Sequence, residues 1–170
     1  AASRLHLLQG ISGTGKTSLP LAFAKAIGAT FSLVEVQSGW RDRNDLLGYY
    51  NAFERRFYES EFLQALYRAQ QPRHLPLPYL IVLDEMNLSH PEHYFADFLS
   101  ALEQQEANQR ISLLTAKVDG APQLLEESRW LRIPANVWFI GTANHDETTK
   151  DFAPKTYDRS HVMEFPRHPE

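Results

Sequence analysis

A three-layer α/β/α fold around a mostly parallel five-stranded sheet, with a β-hairpin excursion, is predicted by three features of the 170-residue sequence. Short apolar runs alternate with amphipathic stretches of helical period, the pattern of a parallel sheet covered on both faces. A glycine-rich loop joins the first run to the first helical stretch, and two acids close the nearly continuous apolar run that suits the centre of the sheet. Hydrophobic residues make up 43% of the chain and charged residues 22%, a balance that supports a packed core and argues against disorder. At this length one core is expected, so residues 1–170 are read as a single domain.

The elements follow in order. Leu5 to Gln9 reads as the first strand, and after the glycine-rich loop Leu19, Phe23, Ala26 and Ile27 recur at helical spacing, with Pro20 tolerated in the first turn and Gly28 placed to end the helix. Phe31 to Val36 is the second strand. The charged, aromatic stretch from Trp40 to Tyr58 has no clean period. A second helix is expected from Ser60 to Gln70, broken by Pro72, Pro76 and Pro78, which lead into Tyr79 to Leu83. Ser89 and Glu92 suggest a capping box, and Phe95, Phe98, Leu99 and Leu102 form a core-facing stripe on a third helix. Ile111 to Thr115 and Arg129 to Ile133 read as hairpin arms, Val137 to Thr142 as a buried strand, and His161 to Phe165 as the last strand.

The net charge of -4 offers no global attraction to nucleic acid or to an anionic membrane. No cysteine is present, which excludes disulfides and thiolate metal sites and favours a reducing compartment, the cytoplasm by default. No apolar run is long enough to span a bilayer, so no membrane partner is expected. The opening Ala1 and Ala2, in place of Met, suggest a piece of something longer.

Gly10, Ile11, Ser12, Gly13, Thr14, Gly15, Lys16 and Thr17 spell GxxxxGK(S/T) between a strand and a helix, the context its chemistry requires. Glycines let the backbone wrap phosphate oxygens while successive amides and the helix N-terminus point at the anion. Lys16 can reach the β and γ phosphates, the Thr17 hydroxyl can hold Mg²⁺, and Ser18, next in the chain, is grouped with the nucleotide-binding set. Asp84 and Glu85 end the apolar run and should emerge at the carboxyl edge of the sheet, where open α/β folds bind ligands. One anion suits the Mg²⁺ shell, and its neighbour suits proton abstraction from water. Such an acid pair also favours water over the separate acceptor of a small-molecule kinase. His90 and His93, spaced i, i+3 with only Asp97 nearby, read as a solvated helix start rather than a zinc site.

Together with Ile140-Gly141-Thr142-Ala143-Asn144 after a strand, these motifs resemble those of AAA+ P-loop NTPases, especially the branch containing the McrB restriction GTPases and the MoxR-like ATPases. The resemblance covers essentially the whole chain and rests further on Asp45-Leu46-Leu47-Gly48-Tyr49-Tyr50-Asn51, Leu83-Asp84-Glu85-Met86-Asn87 and Pro154-Lys155-Thr156-Tyr157-Asp158-Arg159. It implies Mg²⁺-dependent hydrolysis of ATP or GTP, with ATP the first choice, by a homo-oligomeric ring, a hexamer. Asn144 matches the sensor that orients the hydrolytic water, and Arg159 matches a finger acting in trans on the neighbour's nucleotide. Without the resemblance, Arg159 beside Asp158 reads as half of a surface ion pair rather than as a finger. The hairpin before Asn136 is similar to a pre-sensor hairpin, and residues 47–58 to an insertion in the second helix. Their interleaved aromatics and cations suit either contact with a neighbouring subunit or stacking on a polymer. A protein or DNA substrate would be engaged through appended domains, and the helical lid is expected outside this chain. A nucleotide-gated scaffold with little turnover is the alternative from another class.

Overall fold

The computed structural model describes residues 3–146 and 149–166; Ala1 and Ala2 lie outside the described residues. In chain order the elements are β1 (Leu5–Gly10), α1 (Ser18–Ile27), β2 (Thr30–Glu35), α2 (Arg43–Leu47), β3 (Gly48–Asn51), β4 (Arg56–Glu59), α3 (Glu61–Ala69) and β5 (Tyr79–Asp84). They continue with α4 (Pro91–Tyr94), α5 (Ala96–Leu102), β6 (Arg110–Ser112), β7 (Trp130–Arg132), β8 (Val137–Asn144), α6 (Pro154–Asp158) and β9 (His161–Glu164). Five strands form one sheet in the order β2-β5-β8-β1-β9, and every pairing in it is parallel. The expected "mostly parallel" sheet is thus wholly parallel.

Alternation along the strands feeds two separate cores. Leu5, Leu7, Ile81, Leu83 and Phe139 point to the face covered by α3 and α5, where Phe62, Phe95, Phe98 and Phe139 lock ring against ring at centroid distances of 5.2–6.4 Å. Leu8, Leu80, Val82 and Ile140 point the other way, where Ala24 of α1 packs on them. In α1 the buried residues are Pro20 and Ala24. Leu19, Phe23 and Ile27 instead lie exposed, and the first two flank an apolar cavity of about 460 Å³ with Leu80, Trp138 and Met163. Helical spacing located the helix, but those apolar residues are not the ones that meet the sheet.

Several local expectations are corrected. Ser89 does not cap a helix with Glu92: its hydroxyl donates to the Gln37 carbonyl at 2.7 Å, His90 occupies the N-cap, and Pro91 starts α4. The third helix is two short pieces, α4 and α5, which meet at Phe95 where φ is -109° and ψ is 6°. Phe95, at the junction, and Phe98 both reach the core. A capping box does exist at Asp42 and Asp45, ahead of α2. The aperiodic stretch from Trp40 to Tyr58 resolves into α2 and the β3–β4 hairpin, each too short for a period to register. The other hairpin forms from shorter arms than expected, β6 and β7, and its connecting link packs on the first hairpin, where the Tyr50 hydroxyl donates to the Asp119 carbonyl at 2.9 Å.

Phe139 is fully buried between the sheet and α3 and α5. Replacing it with alanine should cost about 3–5 kcal/mol, the usual range for a buried aromatic. A shift of the urea midpoint with an unchanged slope measures this, and a loss below about 1 kcal/mol would contradict the packing described.

Candidate functional site

Because β1, β5 and β8 run parallel and in register, their carboxyl ends, Gly10, Asp84 and Asn144, arrive at one edge of the sheet. The loop after β1 turns there with φ of 80° at Gly13 and 87° at Gly15, backbone that a residue with Cβ resists. A Cβ at either glycine would meet nothing within 4 Å, so the backbone faces open space rather than packing. This loop leads directly into α1. Its N-cap residue, Thr17, makes no side-chain capping bond, which leaves the first amides of a ten-residue helix available to an anion.

The hydroxyl of Thr17 goes elsewhere: it donates to Asp84 Oδ1 at 2.8 Å. Thr142, one strand further, donates its hydroxyl to the same oxygen at 2.7 Å and accepts the Glu85 amide at 2.9 Å. Asp84 is thereby bracketed by the loop and by β8. Glu85 carries a φ of 53°, uncommon for a residue other than glycine, and its side chain meets Asn144, whose Nδ2 donates to Oε1 at 3.3 Å. Gly141 permits this approach of turn and strand, since a Cβ there would lie 2.4 Å from Met86 Sδ.

Lys16 is buried, and its ammonium donates to the Ile11 carbonyl at 2.5 Å and to Thr14 Oγ1 at 3.3 Å. Burial pulls it below its ordinary range, an effect opposed by the negative charges of Asp84 and Glu85. The result is one cation and two anions around a cavity of about 240 Å³ lined by Ser12, Gly13, Gly15, Lys16, Thr17, Ser18, Asp84, Glu85, Thr142 and Asn144. Gly10, Ile11 and Thr14 shape the same loop from behind, as the Lys16 contacts record. The hydroxyl of Thr17 and the carboxylate of Asp84 are hard oxygen donors set side by side, a donor set that fits Mg²⁺. The larger apolar cavity beside α1 holds only His6 as a polar side chain and has no means of gripping phosphate.

Arg159 is not among these residues. It follows α6 and precedes β9, whose first residue pairs with His6 at the amino end of β1. Four residues of strand, about 13 Å, separate that edge from the glycine loop. Its Nε lies 2.5 Å from Glu103 Oε1, and three quarters of the side chain is covered. His90 likewise stays local, 3.1 Å from Glu92, and no cluster of three or more His, Cys, Asp or Glu side chains placed to hold a metal ion occurs among the described residues.

Thr142 escaped the sequence reading although its motif was identified. A threonine in a buried strand reads as a β-former, and only the register of β5 against β8 sets it beside Asp84. No helix among the described residues is long and apolar enough to cross a membrane.

A search of curated proteins by sequence returns no match. A family profile does match: the AAA domain, dynein-related subfamily, over residues 6–160. That span opens in the first strand and closes just past Arg159, so it takes in every feature of the edge described above, and the chain belongs to this AAA family as a nucleotide-hydrolysing AAA+ P-loop NTPase.

Proposed function

We propose that residues 1–170 form one nucleotide-binding core, of the branch that includes the McrB-like GTPases and MoxR-like ATPases, and that it hydrolyses ATP as a subunit of a hexameric ring. The work is coupled to remodelling or translocating a protein or DNA partner. The observation that carries this reading is the convergence of Lys16, Thr17, Asp84, Glu85 and Asn144 on a single cavity at the end of a parallel sheet.

In this reading the amides from Gly10 to Ser18 and the Lys16 ammonium hold the β and γ phosphates, Lys16 exchanging the Ile11 carbonyl for a phosphate oxygen. Thr17 and Asp84 would hold Mg²⁺, which when bound supplies positive charge against the phosphate oxygens. Glu85 accepts a proton from water as the water oxygen bonds to the γ phosphorus. The bond from that phosphorus to the β,γ-bridging oxygen breaks, and its electron pair leaves with the nucleoside diphosphate. Asn144 orients the water beside Glu85. Arg159 works on the neighbouring subunit, since its place at the opposite sheet edge denies it the phosphates of its own chain. For it to reach across, the ion pair with Glu103 must open.

Replacing Glu85 with Gln removes a proton acceptor but keeps the shape, so nucleotide binding should persist while turnover falls about 10²- to 10⁴-fold. Isothermal titration and phosphate release on the oligomeric protein check this, and wild-type turnover would remove Glu85 from its role. Running both assays with ATP and with GTP assigns the base.

Mixing tests the action in trans. Glu85→Gln and Arg159→Ala subunits should each be nearly inactive alone, the second by roughly 10³-fold or more. Combined, they should regain activity, because an interface pairing an intact Glu85 with an intact Arg159 then exists. A mixture as inactive as its parents would exclude action in trans.

A further inference from the structure

Asn87 sits two residues beyond Glu85, in the short 3₁₀ turn Met86–Leu88, and is 3% exposed. Its side chain makes three hydrogen bonds to main chain. Nδ2 donates to the Asn144 carbonyl at 2.9 Å and to the Lys150 carbonyl at 3.1 Å, while Oδ1 accepts the Asn144 amide at 3.3 Å. Its own carbonyl accepts the Lys150 amide at 2.8 Å. Both amide hydrogens of the side chain are thus used, and Asn144 is gripped at its N–H and its C=O by one group.

We infer that Asn87 is a positioning residue for hydrolysis, acting through Asn144; this rests on the roles proposed above for Glu85 and Asn144. Asn144 is the last residue of β8, three residues past the point where its pairing with β5 stops at Gly141. A terminal residue held at one point can rotate about the strand direction and swing its side chain away. Held at two points by a planar amide, its Cα–Cβ bond has one direction, and from it the side chain reaches Glu85 Oε1. The bonds to Lys150 hold Asn87 at a further main-chain site. Glu85 is tied at its amide to Thr142 and, through the same turn, to Asn87. Carboxylate and carboxamide therefore share one frame.

Only a carboxamide satisfies this set. Aspartate has nearly the same volume and keeps the acceptor for the Asn144 amide, but it loses both donors and sets negative charge against two carbonyls. Alanine loses all three bonds and leaves buried main-chain groups unpaired.

The test uses the oligomeric protein with N87D, N87A, N144A and the double variants N87D/N144A and N87A/N144A. N87D serves where alanine fails to fold. Measurements are the dissociation constant for ATP, kcat and KM. The expected result is a 10- to 100-fold drop in kcat for N87D with the dissociation constant within about threefold of wild type, and double variants no slower than N144A alone, because Asn87 acts through Asn144. Effects that multiply would overturn the inference. So would wild-type kcat in N87D, or a nucleotide affinity that falls in step with kcat, which marks a merely structural role. Failure of the underlying reading is distinguishable: it appears as wild-type kcat in N144A or as full turnover in E85Q, neither of which involves a change at Asn87.

Discussion

One carboxylate oxygen organises the nucleotide edge of this protein. Asp84 Oδ1 accepts hydroxyls from Thr17 and Thr142, so that the start of α1, the end of β5 and the end of β8 are held within hydrogen-bond reach of one atom. The arrangement is possible because the three central strands point the same way and end at the same level. Charge-assisted bonds of this kind are roughly twice as strong as neutral ones. Here a single atom fixes the glycine loop and β8 relative to the end of β5. The same edge holds Lys16 against its own loop through a contact with the Ile11 carbonyl.

Legibility in the sequence followed the range of the physics involved. The glycine loop was readable because its requirements are local: positive φ at Gly13 and Gly15, a lysine and a hydroxyl at fixed spacing. Asp84 and Glu85 were readable because a strand of Leu80 to Leu83 has only one carboxyl end. The split of the adjacent Leu7 and Leu8 between opposite cores is a property of the folded sheet. What failed depended on partners distant in the chain. Ser89 looked like a cap until the Gln37 carbonyl claimed its hydroxyl. The α1 stripe of Leu19, Phe23 and Ile27 looked core-facing by period, yet the small Ala24 is what lets the helix lie close to the sheet. Thr142 and Asn87 gain their significance from a register of β5 against β8 that no short window contains.

The two faces of the sheet differ in how they are built. One carries α3 and α5 and an interlocked set of phenylalanine rings. The other carries α1 alone on a small apolar cluster, with Trp138 and Met163 bordering open space. The nucleotide edge belongs to both, since α1 brings the glycine loop and the turn after β5 brings the acids. Rigid packing on the first face therefore supports the acids, while the glycine loop rests on the thinner side. Arg159 lies at the far edge, engaged with Glu103 at the end of α5.

The strand order has a consequence for biogenesis. β1 leaves the ribosome before the other four strands of its sheet and ends up between β8 and β9, the last two of the five, with Leu5 beside Phe139 and His6 beside His161. No earlier strand can complete it, because β2 and β5 pair on the far side of β8. At ordinary translation speeds of about 5–20 residues per second, the nascent chain carries Leu5, Leu7 and Leu8 without their neighbours for on the order of ten seconds. Such late closure slows folding and leaves an apolar strand within reach of chaperones, or of another nascent chain, until β8 and β9 emerge.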